Sequence, residues 1–162
     1  MEIQPTTIHM QEKLHDFFTE HWGSPEMVLS TGTYTATDLD GFVCIDNDKR
    51  MIGLITYTLH DENLEVISLD SLKENRGYGT HLLQKVEEVA IQKGMQQIQV
   101  ITTNDNLRAL RFYQKREYYI SQIFPRAVMK ARETKPDIPL VGYDDIPIRD
   151  EMLLVKQLRG QL

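Results

Sequence analysis

The chain has 162 residues and a formal net charge of −6; without a basic surplus to meet a phosphate backbone, nucleic acid is not its expected partner. Hydrophobic residues make up 41%, which supports a buried core in a single domain over residues 1–162 and excludes global disorder. Cys44 is the only cysteine, so no internal disulfide or cysteine-based zinc site can form, and with neither a membrane-length apolar run nor a signal peptide the sequence reads as cytoplasmic.

In chain order, residues 1–7 can form a first strand. Ile8, Leu14, Phe17, Phe18 and Trp22 share one helical face, and Gly23-Ser24-Pro25 ends that helix. Residues 25–29 read as a further short helical piece, and the Thr-rich residues 30–40 as loop. Two apolar, strand-favouring runs, 41–45 and 51–59, flank the turn Asp46-Asn47-Asp48-Lys49. His60-Asp61-Glu62-Asn63 is a second turn, and a strand over 64–69 completes an antiparallel meander.

Next comes a turn carrying Gly77 and Gly79, then Leu82, Leu83, Val86, Val89 and Ala90 at helical spacing, with Gly94 as C-cap. Residues 97–103 form a strand with Ile98 and Val100 on one face. Such a strand–helix–strand unit predicts that 64–69 and 97–103 pair in parallel. Asn104 and Asp105 are N-cap candidates for a helix from Asn106 to about Arg116. The last two strands fall at 118–124 and 151–158. Between them, residues 126–150 hold Pro136, Pro139, Gly142 and Pro147, and a segment of that length within one domain is often functional. The fold class is α/β, a mixed sheet flanked by helices.

The glycine turn carries the most information. A strand, a tight turn and a helix start bring free backbone N–H groups and the positive end of a helix to one point, which suits a phosphate. A nucleoside-triphosphate loop ends in Gly-Lys-[Ser/Thr], but this turn runs Gly77-Tyr78-Gly79-Thr80 without a lysine. A dinucleotide loop has three glycines spaced GxGxxG, and here there are two. Two glycines alone fit a purely structural turn equally well.

The wider context is more specific. Arg76-Gly77-Tyr78-Gly79-Thr80-His81-Leu82-Leu83 resembles the acyl-CoA pyrophosphate loop of the GNAT superfamily of N-acetyltransferases. Further along, Asn106-Leu107-Arg108-Ala109-Leu110-Arg111-Phe112-Tyr113 is similar to the N-x-x-A-x-x-x-Y pattern of the same superfamily. The resemblance covers residues 41–118 strongly and the rest weakly, and stretch 102–116 looks like one bacterial branch. It implies a GNAT-like, mostly antiparallel sheet with a central parallel strand pair. Two positions depart from the pattern. Glu74 stands where the loop has Gln or Arg, which disfavours a pyrophosphate unless the side chain points away, with Arg76 as the compensating cation. Glu117 replaces the usual glycine after the second motif, and a left-handed conformation there costs about 1 kcal/mol.

Members of the superfamily transfer acetyl from acetyl-CoA directly to an amine in a ternary complex. The resemblance implies that backbone N–H groups of Arg76, Gly77, Tyr78, Gly79 and Thr80 hold the pyrophosphate. It implies that the backbone at Ile67 and Leu69 pairs with the pantetheine arm like an extra strand. Asn106 then contacts that arm or simply caps its helix. Tyr113 holds the position that returns a proton to the departing thiolate, an uphill step from a phenol near 10 to a thiol near 8.5; its alternative is a core tyrosine beside Leu110 and Phe112. Glu65 is the candidate base, directly or through water, although strand alternation can also leave it on a solvated edge. Many members use only water and backbone carbonyls. Other residues read more simply: His60-Asp61-Glu62 as a solvated turn, His9, His15 and His21 as surface, Cys44 as core. Arg149-Asp150-Glu151 is either an ion-paired turn or part of an acceptor pocket shaped by residues 126–150. The expected acceptor is a small-molecule or peptide amine, with no metal; a homodimer through the C-terminal strands is compatible with the family. The alternative function is a non-catalytic acyl-CoA sensor or interaction module.

Overall fold

The computed structural model describes residues 1–73 and 76–158, so Glu74 lies outside the described residues. Its elements in chain order are β1 (Glu2–Pro5), α1 (Gln11–Trp22), β2 (Glu26–Leu29), β3 (Gly32–Thr35), β4 (Asp40–Ile45), β5 (Met51–Leu59), β6 (Asn63–Ser71), α2 (Tyr78–Gln92), β7 (Gln97–Thr103), α3 (Leu107–Gln114), β8 (Tyr119–Phe124), α4 (Ala127–Thr134) and β9 (Glu151–Gln157). Among the described residues no helix is long and apolar enough to cross a membrane.

Apolar side chains on both faces of the central strands dictate a layered structure. Leu64 and Val66 of β6 and Ile98 and Val100 of β7 pack against Leu82, Leu83, Val86 and Ala90 of α2. Ile67 of β6 and Leu54 of β5 meet Leu14, Phe17 and Phe18 of α1 on the other face. Each Leu, Ile, Val and Phe among them contributes about 1.5–3 kcal/mol on burial. The main sheet has the order β1-β4-β5-β6-β7-β9-β8, antiparallel except for the β6–β7 pair. The expected parallel pairing is therefore present, within the α/β, mostly antiparallel architecture that the sequence implied.

That parallel pair is short. It runs from Asn63 opposite Gln97 to Val66 opposite Val100 and then stops, although both strands continue. A bulge marks the place: on the β5 side Thr56 pairs with Ser68 and the adjacent Tyr57 with Val66, leaving Ile67 as the extra residue. A bulge bends its strand and strengthens the local twist, so past Val66 the edge of β6 has lost β7 as a partner.

Several local expectations change. Residues 26–29 form a strand paired with β3 rather than a helix; four residues cannot nucleate a lasting helix, whereas a hairpin buries Met27 against α1. Trp22 leaves the core face of α1 and stays 43% exposed, because Gly23 turns left-handed (φ 80°) and ends the helix one residue later. Asn106 caps α3, its side-chain oxygen accepting from Ala109 N at 3.1 Å. Asn104 and Asp105 instead tie down the segment that follows α4. The Asn104 amide donates to Pro147 O (2.9 Å) and accepts from Arg149 N and Asp150 N. The Asp105 carboxylate accepts from the Thr103 hydroxyl and from Tyr143 N. Gly142 passes so close to Asp105 that a Cβ there would run into the carboxylate. Arg132 of α4 adds hydrogen bonds to the carbonyls of Ile138, Pro139 and Ile148. The long segment is thus strapped down rather than loose. Glu117 does adopt the left-handed conformation expected of a glycine position, with φ 73°.

Candidate active site

The turn before α2 leaves backbone donors free at the start of a helix. Gly77 is left-handed (φ 78°), no side chain among the described residues caps the helix, and its first turn has no acidic residue. The first backbone bond is His81 N to Gly77 O at 3.1 Å, so the N–H groups of Tyr78, Gly79 and Thr80 point outward at the positive end of the helix. Arg76 is exposed beside them. A second cation stands close by: Arg116 donates to Thr80 Oγ1 at 3.2 and 2.6 Å and stacks 3.8 Å over the Phe112 ring. Its sequence position, past the end of α3, gave no hint of this placement.

Beyond the break in the β6–β7 pairing lies a groove of about 670 Å³. Ile67 and Ile101 belong to its floor, Met27 and Leu29 of the β2–β3 hairpin to one wall, and Val128 and Ile138 to another. Ile67 and Asn106 thus both border the groove, whereas the Leu69 side chain packs toward the α2 core.

Tyr113 is buried, edge-on to Phe112 (5.2 Å) and Tyr118 (5.4 Å). Among the described residues its hydroxyl has no hydrogen-bond partner. Burial raises its pKa above the ordinary phenol value, and the nearby Asp70 carboxylate adds to the rise. Asp70 is itself pushed up to about 6 by burial, held back by the Trp22 N–H and by His21; Trp22 Nε1 lies 3.2 Å from both carboxylate oxygens. Asp70 went unremarked in the sequence, yet a carboxylate between Leu69 and Ser71 on a buried strand is itself a signal.

The Asp70 shift has a consequence for stability. Below about pH 4 the carboxyl is neutral both folded and unfolded, and burial costs nothing. As pH rises through about 6 the folded protein must ionise it against its surroundings, and stability falls by about 1–3 kcal/mol. Asp70→Asn, which still offers Trp22 an acceptor, should therefore exceed the parent in urea-unfolding stability at pH 8 by that amount and match it at pH 4. An equal difference at both values would refute the linkage.

Glu65 is fully buried where β6 and β7 are still paired. Thr31 donates to its Oε2 at 2.7 Å, Gln99 to its Oε1 at 2.9 Å, and His60 Nε2 lies 2.9 Å from the same oxygen. Glu65 is not among the groove-lining residues described; it lies beneath the tip of the β2–β3 hairpin. His60, read from sequence as part of a solvated turn, is the partly exposed partner of this carboxylate. Glu151 of β9 holds the same hairpin tip from the groove side, with Ser30 N donating to its Oε1 at 2.9 Å.

The comparisons with known proteins bear on the family and the fold. The model of the acetyltransferase (GNAT) family matches residues 8–118. The chain belongs to the GNAT family. It is 49% identical over 159 residues to the uncharacterized protein YxbD of Bacillus subtilis (strain 168), covering 98% of this chain and 100% of YxbD. It is also 49% identical over 156 residues to the uncharacterized protein YdhI of the same strain, covering 96% and 98%. Among solved structures, a GNAT family acetyltransferase from Elizabethkingia anophelis with acetyl-CoA bound shares the fold, with TM-score 0.70, 22% identity and 97% of each chain covered. The GNAT match contains the glycine turn, Glu65 and Tyr113 but ends before the strapped segment after α4.

Proposed function

We propose that this GNAT protein transfers the acetyl group of acetyl-CoA directly to an amine. The observation that carries the reading is the opening between β6 and β7 past Val66 and Val100, which lies between the uncapped start of α2 and the groove under the hairpin. The residues present suit the co-substrate: bare N–H groups fit a diphosphate, the free β6 edge fits an amide-containing arm, and a groove borders the opening. When bound, acetyl-CoA supplies an activated acyl carbon and a thiolate leaving group.

The chain's own residues divide the remaining work. Backbone N–H groups of Arg76, Gly77, Tyr78, Gly79 and Thr80 hold the diphosphate, and the backbone of Ile67 and Leu69 offers strand-like hydrogen bonds to the arm. Asn106, with its oxygen spent on capping α3, presents its NH2 as a donor. The Tyr113 hydroxyl hydrogen-bonds the sulfur and protonates it as the C–S bond breaks; its raised pKa makes that transfer more uphill than for an ordinary phenol, a cost that the placement of the hydroxyl against the sulfur must offset. Nitrogen sheds two protons as the C–N bond forms. One leaves through Glu65 and its solvent-facing partner His60, and the other replaces the proton given up by Tyr113. Because Glu65 is sealed beneath the hairpin tip, it acts through a relay rather than by contact with the amine.

Calorimetric titration with acetyl-CoA, with ATP as control, tests the first half; saturable binding of acetyl-CoA alone is expected. Thioester loss across an amine panel tests the second. Binding without any thioester loss would leave an acyl-CoA-binding module, and absence of binding would overturn the proposal.

A further inference from the structure

We infer that the acceptor is a primary amine carried on an apolar body, and that Glu151 holds its ammonium group at the floor of the groove. This rests on the amine-acetylating reading above and narrows it to a substrate class.

Most groove walls are aliphatic, with Met27, Leu29, Ile67, Ile101, Val128 and Ile138 contributed by five different elements or segments. The charged and titratable side chains around it are largely accounted for. The Asp105 carboxylate is taken by the Thr103 hydroxyl and Tyr143 N. The Lys135 ammonium donates to Glu26 O at 2.8 Å. His21 packs on the Phe17 ring (4.4 Å), and Asp137 is exposed.

Glu151 is different. It is 2% exposed, and Ser30 N satisfies only Oε1. Among the described residues Oε2 has no partner and no basic side chain pairs with the carboxylate. Since no fully sealed side-chain polar atom is left unpartnered, Oε2 keeps some accessible surface, and Glu151 lines the groove. A carboxylate so placed is costly without a cation opposite it. One carboxylate oxygen among aliphatic walls is a poor set for a hard metal ion, which wants six or more oxygens, but it matches an ammonium on an apolar body. The sheet register puts the charge where the chemistry needs it. Glu151 pairs with Thr103, on the stretch of β7 that runs free of β6 after Val100, so a bound amine stands beside the opening.

Glu151→Gln tests this, since the amide still accepts from Ser30 N and removes only the charge. Phenethylamine, tryptamine and hexylamine are compared with spermidine and an aminoglycoside, reading thioester loss, with acetyl-CoA affinity measured by calorimetry. The parent should prefer the apolar amines. The variant should show their KM raised about tenfold or more, with kcat changed less than KM and acetyl-CoA affinity unchanged. Preference for spermidine or the aminoglycoside, or an unchanged KM in the variant, overturns the inference while leaving amine acetylation standing. If acetyl-CoA binds but no amine is consumed, the transfer reading itself fails. Titration of phenethylamine into the CoA-loaded parent and variant then still decides on the ammonium site, which stands if only the parent binds and falls otherwise.

Discussion

Tyr113→Phe is expected to lower turnover about a hundredfold while leaving acetyl-CoA affinity within about twofold. The substitution removes one oxygen and nothing else. The ring keeps its edge contacts with Phe112 and Tyr118, and because the hydroxyl has no partner among the described residues, no hydrogen bond within the fold is lost with it. Melting temperature should stay essentially where it was, which separates a chemical defect from a structural one. Steady-state kinetics with a saturating amine, alongside calorimetric acetyl-CoA titration, reads both quantities. Turnover equal to the parent would remove Tyr113 from the mechanism and return it to the role of a core aromatic.

Glu65→Ala is expected to have the largest effect on stability. It strips acceptors from the Thr31 hydroxyl, the Gln99 amide and His60 at once, and it leaves a hole where a fully buried side chain stood. The combined loss is about 3 kcal/mol or more, a fall in melting temperature of roughly 6–12 °C for a chain of this size. Glu65→Gln separates the two tasks assigned to this residue. Its amide oxygen can still accept from Thr31 or Gln99, so most of the stability should return, but it cannot take up a proton. A variant that is stable yet slowed about a hundredfold supports the relay. A variant that is stable and fast confines Glu65 to holding the hairpin.

Where chemistry and structure were local, the sequence carried them. The glycine turn, the amphipathic run from Leu82 to Ala90 and the parallel pairing around it rest on signals a few residues long. The left-handed backbone at Glu117 was legible for the same reason. The hairpin at 26–35 was misread because three apolar residues, Met27, Val28 and Leu29, have no periodicity of their own; burial of Met27 against α1 decides their conformation. Asn104, Asp105 and Asn106 are all good caps, and only tertiary demand picks one: the segment after α4 claims the first two. The least legible contacts join distant parts of the chain. Ser30 meets Glu151 across 121 positions, and His60 leaves its turn to meet Glu65 only because that carboxylate has been buried beneath Thr31. No short window of sequence shows the Ser30–Glu151 contact, and the closeness of His60 to Glu65 in sequence does not reveal that this carboxylate is buried.

The early parting of β6 and β7 also shapes how the protein holds together. Within the sheet, four register pairs, from Asn63–Gln97 to Val66–Val100, join the β1-β4-β5-β6 block to the β7-β9-β8 block, with α2 packed across both. The sheet therefore has a seam, sewn at one end and open at the other. A molecule that lies in the open end and pairs with the free edge of β6 adds the missing stitches. Under the proposed binding of acetyl-CoA along this edge, the heat resistance of the protein is set partly by that ligand, with about 2.7 kcal/mol gained once it stands at a hundred times its dissociation constant. Without it, local opening is expected to begin at the unpaired end of the seam.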